Sequence, residues 1–332
     1  IEVLKKAKNR AFIIAVDTAL KPLHNAGITP DMYAMLDPLK PLALVQTEAG
    51  KKTPLLSLVT GSKQILDYHE GKKFFIDEGY HYIYELFLMN HKKIAGLSVG
   101  GSVATLAFSL VCHLGFKTIV FVGQDLAYTG NKSHIDGTFQ EKMPEKDTTD
   151  YIWIPGNYEE KVPTITNLND YRLWFQEFIE SWKKMHDVRF INATEGGAKI
   201  EGTEVMSLSE VIDKECTREV AIEECIDSLP TMFDESEQVK IEEFLSNTPK
   251  RVHEIVLLAI QGKKLYQRLD QMCRKGHIDK TAYVKLLKRI KRNRKEIEKN
   301  ENYQLLSETM VNAEQIIRSS QYFQYDSIEE EG

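Results

Sequence analysis

The sequence predicts an α/β protein with a doubly wound, mostly parallel sheet, followed by an all-α appendage. Over the first two-thirds of the chain, short continuous apolar runs, typical of strands buried on both faces, alternate with helical patterns. From about Leu208 onward, strand candidates disappear and apolar residues recur at helical spacing. A chain of 332 residues with 42% hydrophobic content is long enough for two such parts. We therefore expect an α/β domain over residues 1–207 and a helical domain over residues 208–332.

The predicted elements follow one another in a regular order of strand and helix. After a helix end at 2–8, strands are predicted at 11–16, 32–36, 55–59, 73–76, 118–122 and 188–192, and helices at 19–25, 63–69, 80–89, 103–114 and 168–184. The long polar segment 129–166 carries His134 and Asp136. Ordered loops of this length are uncommon without a function, so we expect a lid or a substrate loop there.

Polar residues follow four of the predicted strands. They are Asp17 and Thr18 after the first strand, Asp37 after the second, Gln124 and Asp125 after the fifth, and Thr194 and Glu195 with Gly196 and Gly197 after the sixth. Asp17 or Thr18 is also the expected N-cap of the next helix. Open α/β sheets bind ligands at the carboxyl ends of their strands, which makes these residues candidates for a ligand site. The alternative is that they only cap helices and turns.

A loop of small residues precedes the helix predicted at 103–114. It contains Ser98, Gly100, Gly101 and Ser102. Small residues let backbone amides approach a ligand closely, and the same argument applies to the pair Gly196 and Gly197. The alternative is that the glycines only allow close packing of neighbouring elements.

Composition and missing motifs exclude several classes of protein. A net charge of −6 argues against a nucleic-acid binder, and the uncharged stretch between Lys93 and Lys117 is too rich in Ser, Thr and Gly for a membrane span. Four cysteines without CxxC spacing fit a reduced cytoplasm. The dinucleotide fingerprint GxGxxG, the phosphate loop GxxxxGK[ST], the DxD metal clamp and HExxH are all absent. The residues alone therefore indicate an α/β domain with a polar ligand edge.

Three stretches resemble the motility accessory factor family, flagellin glycosyltransferases of bacteria. They are IIAVDTALKPLHNAGITPDMYAMLDP (13–38), LSVGGSVATLAFSLVCHLGFKTIVFVGQDLAYTGNKSH (97–134) and INATEGGAKIEGTE (191–204). The resemblance implies a cytoplasmic enzyme that transfers a nonulosonic acid, such as pseudaminic or legionaminic acid, from a CMP-sugar to Ser or Thr of flagellin. It also implies a Rossmann-like domain similar to that of bacterial metal-independent sialyltransferases, in which Gly123, Asp125 and Tyr128 match a strand-end pattern of the CMP-sugar site.

The sugar transfer that the resemblance implies suggests a role for each candidate residue in binding the donor or in accepting a proton. The amides of the 98–102 loop and of Gly196 and Gly197 suit the phosphate, while Asp17, Thr18 and Gln124 suit the ribose or the base. His134 is the only histidine of the predicted lid and is the first candidate for the general base, with Asp136 or Asp125 next. No cofactor or resident metal is expected, because the CMP-sugar is the donor substrate. The family carries a GxGPSL-type segment before the region where this chain begins, and we expect weak nucleotide binding without it.

Two other functions remain open from the sequence. The same stretches resemble an archaeal hydroxymethylpterin diphosphokinase, which would need ATP and magnesium held by Asp17, Asp37 and Asp125 if these carboxylates converge. The third possibility is a non-catalytic module that binds flagellin. The helical appendage would hold the protein acceptor or mediate formation of a homo-oligomer, and its basic stretch 285–299 either docks an acidic partner or is simply solvated.

Overall fold

The structure, a computed structural model, describes residues 1–77, 81–94, 96–128, 151–274, 279–300 and 302–303. The chain forms two compact units, one made of Ile1–Glu78 with Ala95–Leu229 and the other of Gly79–Ile94 with Pro230–Gly332. This division differs from the predicted boundary at residue 208. The helices just after that residue pack on the α/β unit, because Leu208, Val211 and Ile212 bury their side chains against the strand residue Ile191.

In chain order, the α/β unit begins with a 3-10 helix at Glu2–Ala7 and four strand-helix repeats, of which the last helix belongs to the other unit. These are β1 (Ile14–Val16), α1 (Asp17–Asn25), β2 (Met32–Met35), α2 (Glu48–Lys52), β3 (Leu55–Leu58), α3 (Lys63–Tyr68) and β4 (Lys73–Ile76), followed in the other unit by α4 (His81–Met89). The α/β unit continues with α5 (Val103–His113), β5 (Thr118–Phe121), β6 (Ile152–Ile154), β7 (Val162–Thr164), α6 (Thr166–Lys183), β8 (Arg189–Asn192), β9 (Glu204–Val205), α7 (Leu208–Glu215) and α8 (Ile222–Asp227).

The first sheet is parallel and is covered by helices on both faces. Its strand order is β1-β2-β3-β4. Side chains of β2 alternate between the faces: Tyr33 and Met35 pack with residues of α1, α2 and α3, whereas Met32 and Ala34 pack with α5. The fold class predicted from the sequence is therefore confirmed.

The second sheet has the order β5-β8-β9 and is also parallel. One of its faces packs on α6 and the other on α7. Phe12, just before β1, stacks on Phe116, just before β5, with ring centroids 5.7 Å apart. Strands β1 and β5 therefore begin side by side. Helix α5 covers the face of the first sheet opposite α1, so the chain reverses its winding between β1 and β5, which is where doubly wound folds place their ligands.

Two local predictions were wrong. Val16, not Asp17 or Thr18, is the N-cap of α1, and Asp17 is the first residue of the helix. The polar segment predicted as irregular contains an antiparallel pair, β6 with β7. These strands have only three residues each, too short for a clear alternation of apolar and polar positions.

The helical unit is built on two long antiparallel helices, α9 (Glu235–Arg274) and α10 (Lys280–Glu298). Leu265 of α9 is buried together with Leu286 and Ile290 of α10. The Asn293 side chain donates to the carbonyl of Leu258 at 3.0 Å, and a Cβ on Gly262 would lie 2.6 Å from Asn293 Oδ1. In the described part of the chain, no helix is long and apolar enough to cross a membrane.

Candidate functional site

The ends of β5 and β8 lie side by side and are joined by polar side chains. The last register pair of the two strands is Phe121 with Asn192. Beyond it, the Gln124 amide donates to Thr194 Oγ1 at 3.0 Å, and the Thr194 amide donates to Asn192 Oδ1 at 3.1 Å. Asn192 and Thr194 are both buried. The structure thus brings the predicted residues Gln124 and Thr194 together, and the buried Asn192 side chain holds Thr194 in place.

The turn formed by Gly196 and Gly197 packs directly on the backbone of Asp125. Gly197 has a φ of +72°, and a Cβ there would lie 2.5 Å from the carbonyl oxygen of Asp125. The Ala198 amide donates to that same carbonyl at 2.7 Å. No other residue type fits at position 197 without displacing Asp125, so the glycine holds the main chain of Asp125 in place.

Asn157, in the connection between β6 and β7, is a site residue that sequence reasoning missed. Its Nδ2 donates to the Gly196 carbonyl at 2.6 Å, its amide donates to the Gly197 carbonyl at 3.0 Å, and its Oδ1 accepts from Asn192 Nδ2 at 3.2 Å. A Pro-Gly-Asn turn between two short β-type runs is the signal that could have indicated this hairpin. The hairpin is thereby bonded to the end of β8 and to the turn that follows it.

The chain that leaves β5 is bonded to β7. The Tyr128 amide donates to the Pro163 carbonyl at 2.9 Å, and Thr164 Oγ1 donates to the Leu126 carbonyl at 2.7 Å. The Tyr128 ring is buried and stacks on Tyr151 with centroids 5.2 Å apart. Tyr128 therefore supports the frame of the site through its main chain and its ring.

The small-residue loop before α5 uses part of its own hydrogen-bonding capacity. The amides of Gly100 and Ser102 donate to Thr105 Oγ1 at 3.0 and 3.2 Å, and Ser102 caps α5. A Cβ on Gly100 would lie 2.4 Å from the Trp174 ring, so this glycine is needed for packing. Ser98 and Gly101 are exposed. Among the described residues, no hydrogen bond uses the amides of Gly101, Gly196 or Gly197, which remain donors for an anion.

The ends of β1 and β2 form the other part of this edge. Asp17 is 1% exposed; its Oδ1 accepts from the Thr18 amide at 2.8 Å, and its Oδ2 lies 3.3 Å from Lys40 Nζ. Burial raises the pKa of the Asp17 carboxyl, and the charge of Lys40 opposes that rise. Asp37 is exposed, and its Oδ1 accepts from the Leu39 amide at 2.7 Å in a tight turn. Thr18 is half-buried beside Asp17.

Other candidates are separate from this arrangement. Glu195 is exposed at the tip of the turn after β8. His134 and Asp136 lie outside the described residues. Within the described ranges, no three Asp, Glu, His or Cys side chains converge as they would around a metal ion. Asp17 is instead paired with the cation of Lys40, which sequence reasoning did not single out.

Comparisons with known proteins agree with this fold. Residues 1–131 match the model of a family described as 6-hydroxymethylpterin diphosphokinase MptE-like. The structure is similar to that of MAf glycosyltransferase from Magnetospirillum magneticum AMB-1, with a TM-score of 0.52 and 19% sequence identity over 82% of this chain and 40% of that chain. This chain thus spans about two fifths of that protein. Comparison with curated proteins gives no match. This chain, which resembles the motility accessory factor family in three stretches, thus shares its fold with a MAf glycosyltransferase.

Proposed function

We propose that this chain carries the nucleotide-sugar site of a glycosyltransferase of the motility accessory factor type. The donor is a CMP-activated nonulosonic acid, pseudaminic or legionaminic acid, and the acceptor is a Ser or Thr of flagellin, which the helical unit holds. The observation that carries the proposal is the set of ordered polar groups at the carboxyl ends of β5 and β8, in a fold similar to that of a MAf glycosyltransferase.

The geometry suits a reaction that needs little more than a held leaving group and a base. CMP is a good leaving group, so the protein must bind the nucleotide, stabilise the departing phosphate and accept the proton of the acceptor hydroxyl. The amides of Gly101, Gly196 and Gly197 are donors that can stabilise the phosphate, and the main chain of Gly197 is already fixed by its packing on Asp125. Asp125 is anchored through its carbonyl and can orient the donor. His134, or Asp136, is the proposed base.

One observation favours a second function. The family that matches residues 1–131 is described by a diphosphokinase activity, and such an enzyme transfers diphosphate from ATP with magnesium. Asp17 and Asp37 are the carboxylates at the relevant edge, and Lys40 would have to leave Asp17 for a metal ion to reach it. Asp17 is already accompanied by a cation, so its charge is balanced without an ion. This supports the transferase over the kinase.

A thermal-shift experiment separates the proposals. The protein is heated with CMP, UDP, GDP or ATP, each with and without magnesium. Stabilisation by CMP in the absence of magnesium is expected, since a ligand that binds only the folded state raises the midpoint. Stabilisation by ATP only with magnesium would replace the transferase with the kinase. A response to none of the nucleotides, together with binding of flagellin, would leave the non-catalytic binding module.

A further inference from the structure

We infer that Lys40 binds an anionic oxygen of the ligand at the carboxyl ends of β1 and β2, and that Asp17 holds its ammonium in position. This inference rests on the proposed nucleotide site, because it adds a residue to the same edge of the sheet. The anion is either the phosphate of the nucleotide or the carboxylate of the acidic sugar. Both groups have the chemistry that a lysine ammonium recognises.

The main chain of Lys40 is fixed from two sides. The turn after β2 begins at Asp37, whose carboxylate accepts from the Leu39 amide and whose carbonyl accepts from the Lys40 amide at 3.4 Å. Ser62, which is buried just before α3, donates from Oγ to the Lys40 carbonyl at 2.8 Å. Lys40 is therefore anchored where β2 and β3 end, and its side chain reaches Asp17 at the end of β1.

The contact between Lys40 and Asp17 leaves unused hydrogen-bonding capacity on both sides. Asp17 Oδ2 is buried and accepts no hydrogen bond from the described residues, since the 3.3 Å approach of Lys40 Nζ is an ion pair without hydrogen-bond geometry. An ammonium has three N–H donors. No hydrogen bond of Lys40 Nζ is formed within the ranges that the structure describes, and its side chain is 22% exposed. The ammonium is thus held by charge, with donors available to a ligand.

A second buried ion pair in the same sheet shows what a purely structural pair looks like. Asp31 lies just before β2, and both of its oxygens are used: Oδ1 contacts Lys8 Nζ and Oδ2 accepts from the Ile13 amide at 2.8 Å. It stands at the amino end of its strand, where doubly wound sheets do not bind ligands. The Asp17 pair differs from the Asp31 pair in its position, at the carboxyl edge, and in its bonding, since Asp17 Oδ2 accepts no hydrogen bond from the described residues.

The test must separate a ligand contact from mere neutralisation of Asp17. Lys40→Met leaves the Asp17 carboxylate buried without its cation, which lowers stability whatever the function of the pair. The double variant Asp17→Asn/Lys40→Met removes both charges and restores the unfolding midpoint. If Lys40 only neutralises Asp17, the double variant also restores ligand binding. If Lys40 contacts the ligand, binding stays weak. Lys63→Met, which breaks an exposed pair with Asp67, is the matched control.

Binding is measured by titration calorimetry with four probes: CMP, cytidine, N-acetylneuraminate and inorganic phosphate. We expect Lys40→Met and the double variant to lose tenfold or more in CMP affinity while cytidine binds as before, and Lys40→Arg to keep most of it. Loss of N-acetylneuraminate binding with CMP unchanged would assign the contact to the sugar carboxylate. Wild-type affinity of the double variant for every probe overturns the role of Lys40 alone. Absence of binding of all four probes to the wild-type chain overturns this inference and the proposed function together.

Discussion

Each of the two edges of the first sheet carries a buried aspartate paired with a lysine, but the hydrogen bonds of the two aspartates differ. At the amino edge, the buried carboxylate of Asp31 has hydrogen-bond partners for both oxygens, one from Lys8 and one from the Ile13 amide. At the carboxyl edge, the buried carboxylate of Asp17 has one oxygen bonded to the Thr18 amide, while the other faces Lys40 and accepts no hydrogen bond from the described part of the chain. The first arrangement is complete as it stands. The second has capacity left for a ligand.

Glycines differ between the edges in the same way. Gly27, which follows α1 near the amino edge, has a φ of +75° and open space where a Cβ would lie, so it only ends the helix. Gly197, which follows the carboxyl end of β8 in the second sheet, has a similar φ but is packed on the backbone of Asp125. The left-handed backbone conformation is thus common to both glycines, and close packing at a strand end is what distinguishes Gly197 from Gly27.

The largest expected effect is the difference between substitutions of His134 and His24. We expect His134→Ala to lower turnover by about 10²-fold to 10⁴-fold with donor affinity nearly unchanged, as loss of a general base does. His24→Ala, in the last turn of α1 and exposed, should leave turnover unchanged. Transfer of the nonulosonic acid to flagellin is followed as a function of pH. Full transfer by His134→Ala at every pH would move the base to Asp136 or Asp125.

The glycine contrast is tested by alanine at both positions. Gly27→Ala should cost about 1 to 2 kcal/mol in the free energy of unfolding, the strain of a left-handed alanine. Gly197→Ala adds a Cβ 2.5 Å from the Asp125 carbonyl oxygen, so its cost should be about 2 to 4 kcal/mol, with loss of nucleotide binding. Urea unfolding and calorimetry measure the two effects. Equal costs with unchanged binding would show that the turn after β8 yields easily and does not order the site.

The two buried carboxylates are compared by the same isosteric change. Asp31→Asn places an amide donor against either Lys8 or the Ile13 amide, so we expect it to lower the free energy of unfolding by about 1 to 3 kcal/mol. Asp17→Asn keeps the oxygen that accepts from Thr18 and turns its NH₂ toward Lys40, but it also removes a buried charge that is costly to desolvate, since burial raises the pKa of the Asp17 carboxyl. Its effect on stability should stay within about 1 kcal/mol. Larger destabilisation by Asp17→Asn than by Asp31→Asn would reverse the assignment of the two edges.

The smallest effect concerns a histidine of the amino edge. His69, just before β4, is 2% exposed, and burial lowers the pKa of its imidazole, although hydrogen bonds to the Gly50 and Lys72 carbonyls oppose this. The unfolded chain therefore binds a proton more readily, and stability should fall as the pH drops below about 6.5, by at most about 1.4 kcal/mol per pH unit. His69→Gln should remove that part of the slope, and the exposed His24→Gln should not. Denaturant titrations between pH 7.5 and 5 provide the measurement.

Much of the frame could be predicted from local patterns. The strands at 32–36, 55–59, 73–76 and 118–122 were predicted to within a residue or two, because apolar β-type runs bounded by turn residues are properties of the chain itself. Domain limits were harder to predict: α7 and α8 have the same helical periodicity whichever unit they pack on. Only tertiary contacts place them in the α/β unit, such as the packing of α7 on Ile191 and the bond from Lys72 Nζ to the Ile226 carbonyl of α8.

Polar residues at the ends of the strands can be identified from the sequence alone, since the apolar runs stop at Asp17, Asp37, Gln124, Asp125 and Thr194. Which of these residues lie close together, and which side chains contact them, depends on the tertiary structure. Lys40 lies beside Asp17, Asn157 joins the β6–β7 hairpin to the end of β8, and Thr105 accepts from two amides of the small-residue loop. These contacts depend on where separate loops come together in space. Sequence periodicity carries no information about that, because it reports only the environment of each segment along its own axis.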